Sequence, residues 1–268
     1  MSSAIEKMKR DISVDRRLKA HVKSIEKILE NSQQQLWSLF LKWTIGEIMT
    51  KRFDLRDLDK VPDETWEKAG ISKEQFKKIQ KYMQEREKRA PTVGSAAPDF
   101  EIKRLSANGK LTKETFRLSS FVGKPVALVF GSYTWPPFRT QAGRLNEIFH
   151  KYKNEAEFLC IYIQEAHPED GWQTQSNLEQ GIVFEQPKTE EERTVIAESC
   201  VLGLNLEVPM AMDDIENTVD NAYIALPDRL YVIDSEGKIF YRSDPGPMGF
   251  DVNAWEKAVH EVSNQGMK

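Results

Sequence analysis

Gly131 to Phe138 reads GSYTWPPF and follows the apolar run KPVALVF, which begins at Lys124. A run of that kind is a strand buried on both faces, and Pro136 or Pro137 suits a first helical turn, where a missing N–H costs nothing. The residues between them therefore sit at a strand-to-helix turn. Backbone N–H groups and the positive end of the helix dipole point there, and a thiol in this place would be an activated nucleophile. Position 135 holds Trp, whose indole offers an N–H donor and a flat apolar face but no nucleophile. Position 133 holds Tyr.

A second group of candidates lies in IYIQEAHPEDGW, from Ile161 to Trp172. Tyr162 ends a strand, and Glu165 and His167 follow in the turn. A histidine near its ordinary pKa can pass a proton to a breaking bond, and a neighbouring carboxyl can share in that work. Arg229 opens a later strand and has the planar fork that recognises a carboxylate. Each has a plainer role available: strand packing for Tyr162, a loop hydrogen bond for His167, a surface pair with Asp228 for Arg229. Cys160 lies mid-strand and Cys200 on an apolar helical face, so both read as buried and inert.

These residues need a frame. The apolar runs at Lys124, Ala156, Val208 and Arg229 alternate with helical patterns over Ala142–Tyr152, about Glu190–Leu204 and about Val252–Val262. Asp234–Gly237 (DSEG) turns RLYVI into KIFYR as a hairpin. The order β-α-β-α-β-β-α is the thioredoxin arrangement, an α/β fold. Residues 1–90 are helical in pattern, with Ser72 and Gln75 forming a capping box. They make a helical subdomain, 91–98 a Pro/Gly linker, and 99–268 the thioredoxin-like domain.

The segments APDF, FGSYTWPPF, IYIQEAHPEDGW, ALPDRLYVID and GPMGF together resemble the iodothyronine deiodinase family over roughly residues 97–262. The resemblance implies thiol-dependent reductive removal of iodine from an iodothyronine-like aromatic, with an external thiol reductant and no other evident cofactor. It puts Trp135 at the family's selenocysteine position and Tyr133 at its cysteine position. It implies His167 and Glu165 in substrate binding and proton transfer, and Tyr162, Thr134 and Arg229 around the substrate. Pro209 falls where the fold places a cis-proline beside the turn. A second histidine expected after Trp172 is absent, and Phe184 and Glu185 stand near its place. Trp135 is either a genuine tryptophan, leaving a degenerate redoxin, or a UGA selenocysteine codon read as Trp. The corresponding functions are a deiodinase-type oxidoreductase and a catalytically inactive redoxin that binds a small aromatic or acidic ligand, or a protein.

The whole chain limits the rest. Its 268 residues are 30% charged and 40% hydrophobic, an ordinary globular composition. Residues 1–90 carry 21 Lys and Arg against 15 Asp and Glu, and residues 91–268 carry 17 against 27. Opposite balances would favour docking of the halves in cis, and an acidic α/β half argues against nucleic-acid binding. Leu36–Met49 is too short and too charged for a transmembrane segment, and no secretory signal opens the chain. A cytoplasmic protein is expected, with a homodimer allowed. The four histidines show no paired spacing, so no metal site is expected.

Overall fold

The computed structural model describes residues 61, 63, 66 and 71–265. The helical reading of residues 1–60 lies outside the described residues. Helix α1 (Lys73–Glu87) starts where the sequence places it. Ser72 accepts from the Gln75 N–H, and the Gln75 side chain accepts from the Ser72 N–H, which satisfies two donors at a helix end that has no intrahelical acceptors for them.

One seven-stranded sheet follows, in the order β2-β1-β5-β4-β3-β6-β7. Its central strands are the expected apolar runs: β3 (Val126–Gly131), β4 (Glu157–Tyr162), β5 (Met210–Met212) and β6 (Arg229–Ile233). β3 and β4 are parallel, β4 and β5 are parallel, and β6 runs antiparallel to β3. β7 (Ile239–Arg242) returns along β6 through the Asp234–Gly237 turn. The sheet exceeds the expected order in two places. β5 is a full strand before β6. An antiparallel hairpin of β1 (Glu101–Leu105) and β2 (Leu111–Arg117) adds an edge beyond β5. Both hairpin strands carry charges on their exposed residues, so neither shows the apolar run that marks a buried strand.

Helix α2 (Pro136–Tyr152) joins β3 to β4. The short α3 (Gln175–Gln180) and the longer α4 (Glu190–Leu204) lie between β4 and β5. The short α5 (Thr218–Tyr223) precedes β6, and α6 (Val252–Gln265) closes the described chain. Two buried layers result. One joins Val129, Leu230 and Val232 to the apolar faces of α2, α4 and α6, including Phe138, Cys200 and Trp255. The other joins Leu128, Phe130 and Tyr231 to Phe100, Phe116 and Tyr223. Strand alternation separates the layers. Trp255 is fully buried and its indole N–H donates to the Tyr231 carbonyl at 2.9 Å, so α6 is held by packing and by a satisfied polar contact. With two added edge elements, this is a thioredoxin-like fold. No helix among the described residues is long and apolar enough to cross a membrane.

The proline expectation needs correction. Pro209 is not cis. Its carbonyl accepts from the Cys160 N–H at 2.8 Å and leads into β5, two strands away from β3. The cis bonds are Leu226–Pro227 and Gly246–Pro247. The first precedes β6, the antiparallel neighbour of β3, so Pro227 holds the place expected of Pro209.

Candidate functional site

The turn between β3 and α2 is built on a glycine. A Cβ on Gly131 would lie 2.4 Å from the Phe138 ring, so only glycine lets the first turn of α2 press onto the end of β3. Trp135 is the N-cap residue, in extended conformation, and its side chain makes no capping hydrogen bond. Pro136 and Pro137 occupy the next two positions, as expected.

The polar side chains gather behind this turn. Thr134 is fully buried. Its N–H and Oγ1 donate to Glu165 Oε2 at 3.0 and 2.6 Å, and its Oγ1 accepts from the His167 N–H at 3.1 Å. Tyr162 Oη donates to Glu165 Oε1 at 2.5 Å and accepts from the Tyr133 N–H at 3.1 Å. The structure therefore brings Tyr133, Thr134, Tyr162, Glu165 and His167 into one network. Burial raises the Glu165 pKa, and the Thr134 and Tyr162 donors only partly offset it.

His167 stands between two indoles. Trp135 stacks on it at 5.2 Å between centroids and 30° between planes. Trp172 meets it edge-on at 4.6 Å. Its Nδ1 lies 2.8 Å from the Trp172 carbonyl. A carbonyl can only accept, so the proton sits on Nδ1 and Nε2 carries the lone pair. Burial lowers the His167 pKa to about 4, with the Trp172 carbonyl opposing the shift. The imidazole is neutral at physiological pH and presents an acceptor.

Three residues of the site escape a reading from sequence. Arg139 is buried, and burial lowers its pKa to about 10. It donates to the Tyr133 carbonyl at 2.6 Å and to Asn177 and Gln180 at 2.9 and 3.0 Å. Asn177 in turn donates to the Thr134 carbonyl at 2.9 Å. The signal for Arg139 was its place one turn after Trp135 on the face that carries Ala142 and Leu145. Asn177 gave no signal, because α3 has no apolar stripe. Asp228 is the third. It is fully buried, and burial pushes it up to about 8, with the Trp135 indole and the Gly246 N–H opposing. That opposition falls short of satisfied hydrogen bonding: both Asp228 carboxyl oxygens and Trp135 Nε1 are buried with no partner at bonding geometry.

Tyr133 and Trp135 are packed in. Trp135 is 8% exposed. Tyr133 rests against Phe184 at 6.0 Å, and a Cβ on Gly203 of α4 would lie 2.3 Å from its hydroxyl. Arg229 is not brought to this network. It shares a sheet face with Tyr231, over whose ring its guanidinium sits at 5.6 Å, whereas Trp135 belongs to the other layer. Pro209 is likewise remote, at the head of β5. Cys160 and Cys200 are buried and burial pushes both thiols up, so neither offers a thiolate. Among the described residues no group of three or more His, Cys, Asp or Glu is placed to hold a metal ion.

A sequence model of the iodothyronine deiodinase family matches residues 28–261. A type I iodothyronine deiodinase from Xenopus laevis is 29% identical over 209 residues, covering 77% of this chain and 79% of that protein. A thyroxine 5-deiodinase from Sus scrofa is 37% identical over 130 residues, covering 48% of this chain and 41% of that protein. The chain thus spans under half the length of that relative. Among solved structures, a putative thiol:disulfide interchange protein DsbE from Chlorobium tepidum aligns with 65% of this chain and 99% of its own, at 18% identity and a TM-score of 0.46.

Proposed function

The chain belongs to the iodothyronine deiodinase family, and on that premise we propose that it is a non-catalytic member, a redoxin that binds a small aromatic or acidic ligand, or a protein segment, at the Tyr133–Trp135 turn. One observation carries the reading: at the strand-to-helix turn, where a thiol would be activated, the Trp135 indole stands nearly buried and stacked on a neutral His167. Reductive dehalogenation needs a selenol or thiol to attack the iodine, and two further thiols, one to displace iodide and one to free the enzyme as a disulfide forms. Trp135 has no such atom, and Cys160 and Cys200 are buried as thiols.

The remaining residues support recognition. The half-buried Tyr133 ring offers flat apolar surface, and a ligand that reaches the nearly buried Trp135–His167 stack meets an indole edge and, at His167 Nε2, an acceptor suited to a phenol or an ammonium. Thr134, Glu165 and Tyr162 keep the turn rigid, which lowers the ordering cost of a bound ligand. The test pairs turnover with binding. Iodide release from an iodothyronine in the presence of a thiol donor should be absent in wild type and in Cys160→Ala/Cys200→Ala alike. Titration of the iodothyronine should quench the tryptophan fluorescence of wild type, and less so that of Trp135→Phe. Iodide release that survives loss of both cysteines would sink the reading.

A second reading has one observation in its favour. The Thr134–Glu165–Tyr162 network anchors the turn through backbone and side-chain contacts that do not involve the side chain of residue 135, so a selenocysteine there would find its framework in place. Mass spectrometry of the tryptic peptide Leu118–Arg139 from the native host decides between them. A selenium isotope pattern restores the dehalogenase, and a Trp mass leaves the binding protein. The close fit of Tyr133 to Gly203 supports the second outcome, because position 133 is also built around its aromatic residue.

A further inference from the structure

A chain of rings joins α1 to the Trp135 turn. Trp66 meets Phe76 of α1 at 5.3 Å between centroids, and Phe76 meets Trp172 edge-on at 6.4 Å. Trp172 in turn meets the edge of His167, whose face is stacked on Trp135. His167 is 3% exposed and Trp135 8%, so the stack is shut to a ligand while α1 is docked. At its other end α1 pairs Arg86 with Asp220 of α5, and Glu87 with Arg229 and Arg242. The helix thus bridges the loop after β4 and the head of β6, and β3, which leads into the Trp135 turn, lies between those two strands.

The hold of α1 is thin. Of its 15 residues only Arg86 is buried, and Phe76, Ile79 and Met83 on the same face are half-buried. The seam also gathers unsatisfied donors. Trp66 Nε1 and Arg86 Nε and Nη1 are buried with no acceptor, as is Nε2 of Gln173, next to Trp172 in the chain. A buried donor without a partner raises the energy of the closed state, and water satisfies it once the seam opens. An element with few buried apolar side chains opens locally, well before the fold as a whole.

We propose that α1 is a strap that closes the Trp135–His167 stack by pinning Trp172 against it, and that its release lets the Trp172 indole swing clear and opens the stack to a flat aromatic ligand. Such a ligand binds only the open form, so the docked strap lowers its apparent affinity. What enters the opened stack rests on the binding reading proposed above; the opening itself does not.

The test is hydroxyl-radical footprinting of the full chain, with oxidation at each tryptophan read by peptide mass spectrometry. Arg86→Met/Glu87→Ala, which cuts both anchors at the last turn of α1, should raise oxidation at Trp172 and Trp135 by about threefold or more. Trp255, fully buried in the sheet–helix core, should stay protected, which shows that the domain is folded. An unchanged rate at Trp135, with Trp255 protected, would overturn the strap. If that variant loses the protection of Trp255, Phe76→Ala is read instead. It keeps both anchors and removes only the ring that pins Trp172, so oxidation at Trp135 should rise by about twofold, and an unchanged rate overturns the proposal. Thyroxine titration separates the strap from the binding reading. Fluorescence quenching at lower thyroxine in Arg86→Met/Glu87→Ala than in wild type supports both. An uncovered Trp135 with no quenching in either protein removes the binding reading, while the strap stands on the footprint.

Discussion

At position 135 the local field still favours an anion even though the resident side chain cannot use it. Pro136 and Pro137 remove two backbone donors from the start of α2, but the Phe138 N–H, the helix dipole and the nearby Arg139 remain. Trp135→Cys should therefore give a thiol that alkylates with a pKa below the ordinary value of about 8.5. A rate-versus-pH profile matching a free thiol would show that the buried Asp228 cancels the helix. Asp228 has its own signature. Its folded pKa is about 8, far above an unfolded aspartate near 3.9. The native state thus holds a proton that the unfolded state releases, and Asp228's contribution to stability is present at low pH and lost as pH rises from about 4 to 8. His167 acts oppositely. Its folded pKa of about 4 lies below the ordinary histidine value of about 6.5, so its contribution is lost as pH falls through that window. Between pH 6.5 and 8 Asp228 is left to set the slope. The urea midpoint of wild type should fall across that range, and that of Asp228→Asn should stay nearly level. Parallel slopes in the two proteins would remove Asp228 from the account.

At the scale of elements, α4 and the β3–α2 turn are fitted to each other through Gly203 and Tyr133. Alanine in place of an exposed helical glycine gains about 1 kcal/mol in most helices. Here its Cβ would meet the Tyr133 hydroxyl at 2.3 Å, so Gly203→Ala should destabilise the wild-type protein by about 1–3 kcal/mol, the usual cost of overpacking. In a Tyr133→Ala background the same change should be neutral or stabilising. Additive effects in the double-mutant cycle would mean the two residues do not share the space. This coupling marks where sequence reading stops. The central strands were legible because burial on both faces writes an unbroken apolar run, as in VALVFG. α2, α4 and α6 were legible because one buried face writes a helical period. β1 and β2 were not, since their outward residues are Lys, Glu and Arg. The network around Thr134 was legible in part, through Glu165 and His167, which carry recognisable chemistry. Arg139, Asn177 and Asp228 join it only through contacts 38 or more residues apart in most cases, such as Arg139 to Asn177. Resemblance set Arg229 around the substrate and Pro209 beside the turn; strand parity turns Arg229 to the sheet face opposite Trp135, and strand order sets Pro209 two strands from β3.

At the scale of the molecule, the charge imbalance along the chain suggests that basic and acidic halves attract. The contacts of α1 with the α/β domain follow another rule. Arg86 does pair as that expectation implies, donating to Asp220 at 3.1 Å with both side chains buried. The adjacent Glu87 inverts it, bringing an acid to Arg229 and Arg242. Local partners, not net charge, therefore hold the helix, and buried pairs are screened little by salt. Asp220 is well supplied without Arg86: it also accepts from the Ala225 and Leu226 N–H groups and from Gln164. Arg86, by contrast, buries Nε and Nη1 with no partner. Removing the aspartate would leave a buried cation, whereas removing the arginine leaves an acid with other donors. Asp220→Ala should thus cost more than Arg86→Met, with about 3–5 kcal/mol for the first and under half of that for the second. Because α1 keeps its hold through Glu87, Arg86→Met should leave the helix docked and resistant to trypsin at Lys77, Lys78 and Lys81. Arg86→Met/Glu87→Ala should release it, exposing those sites while the α/β domain stays folded by circular dichroism. Cleavage in Arg86→Met alone would show that the pair at Asp220, rather than the two arginines on Glu87, is the principal anchor of α1.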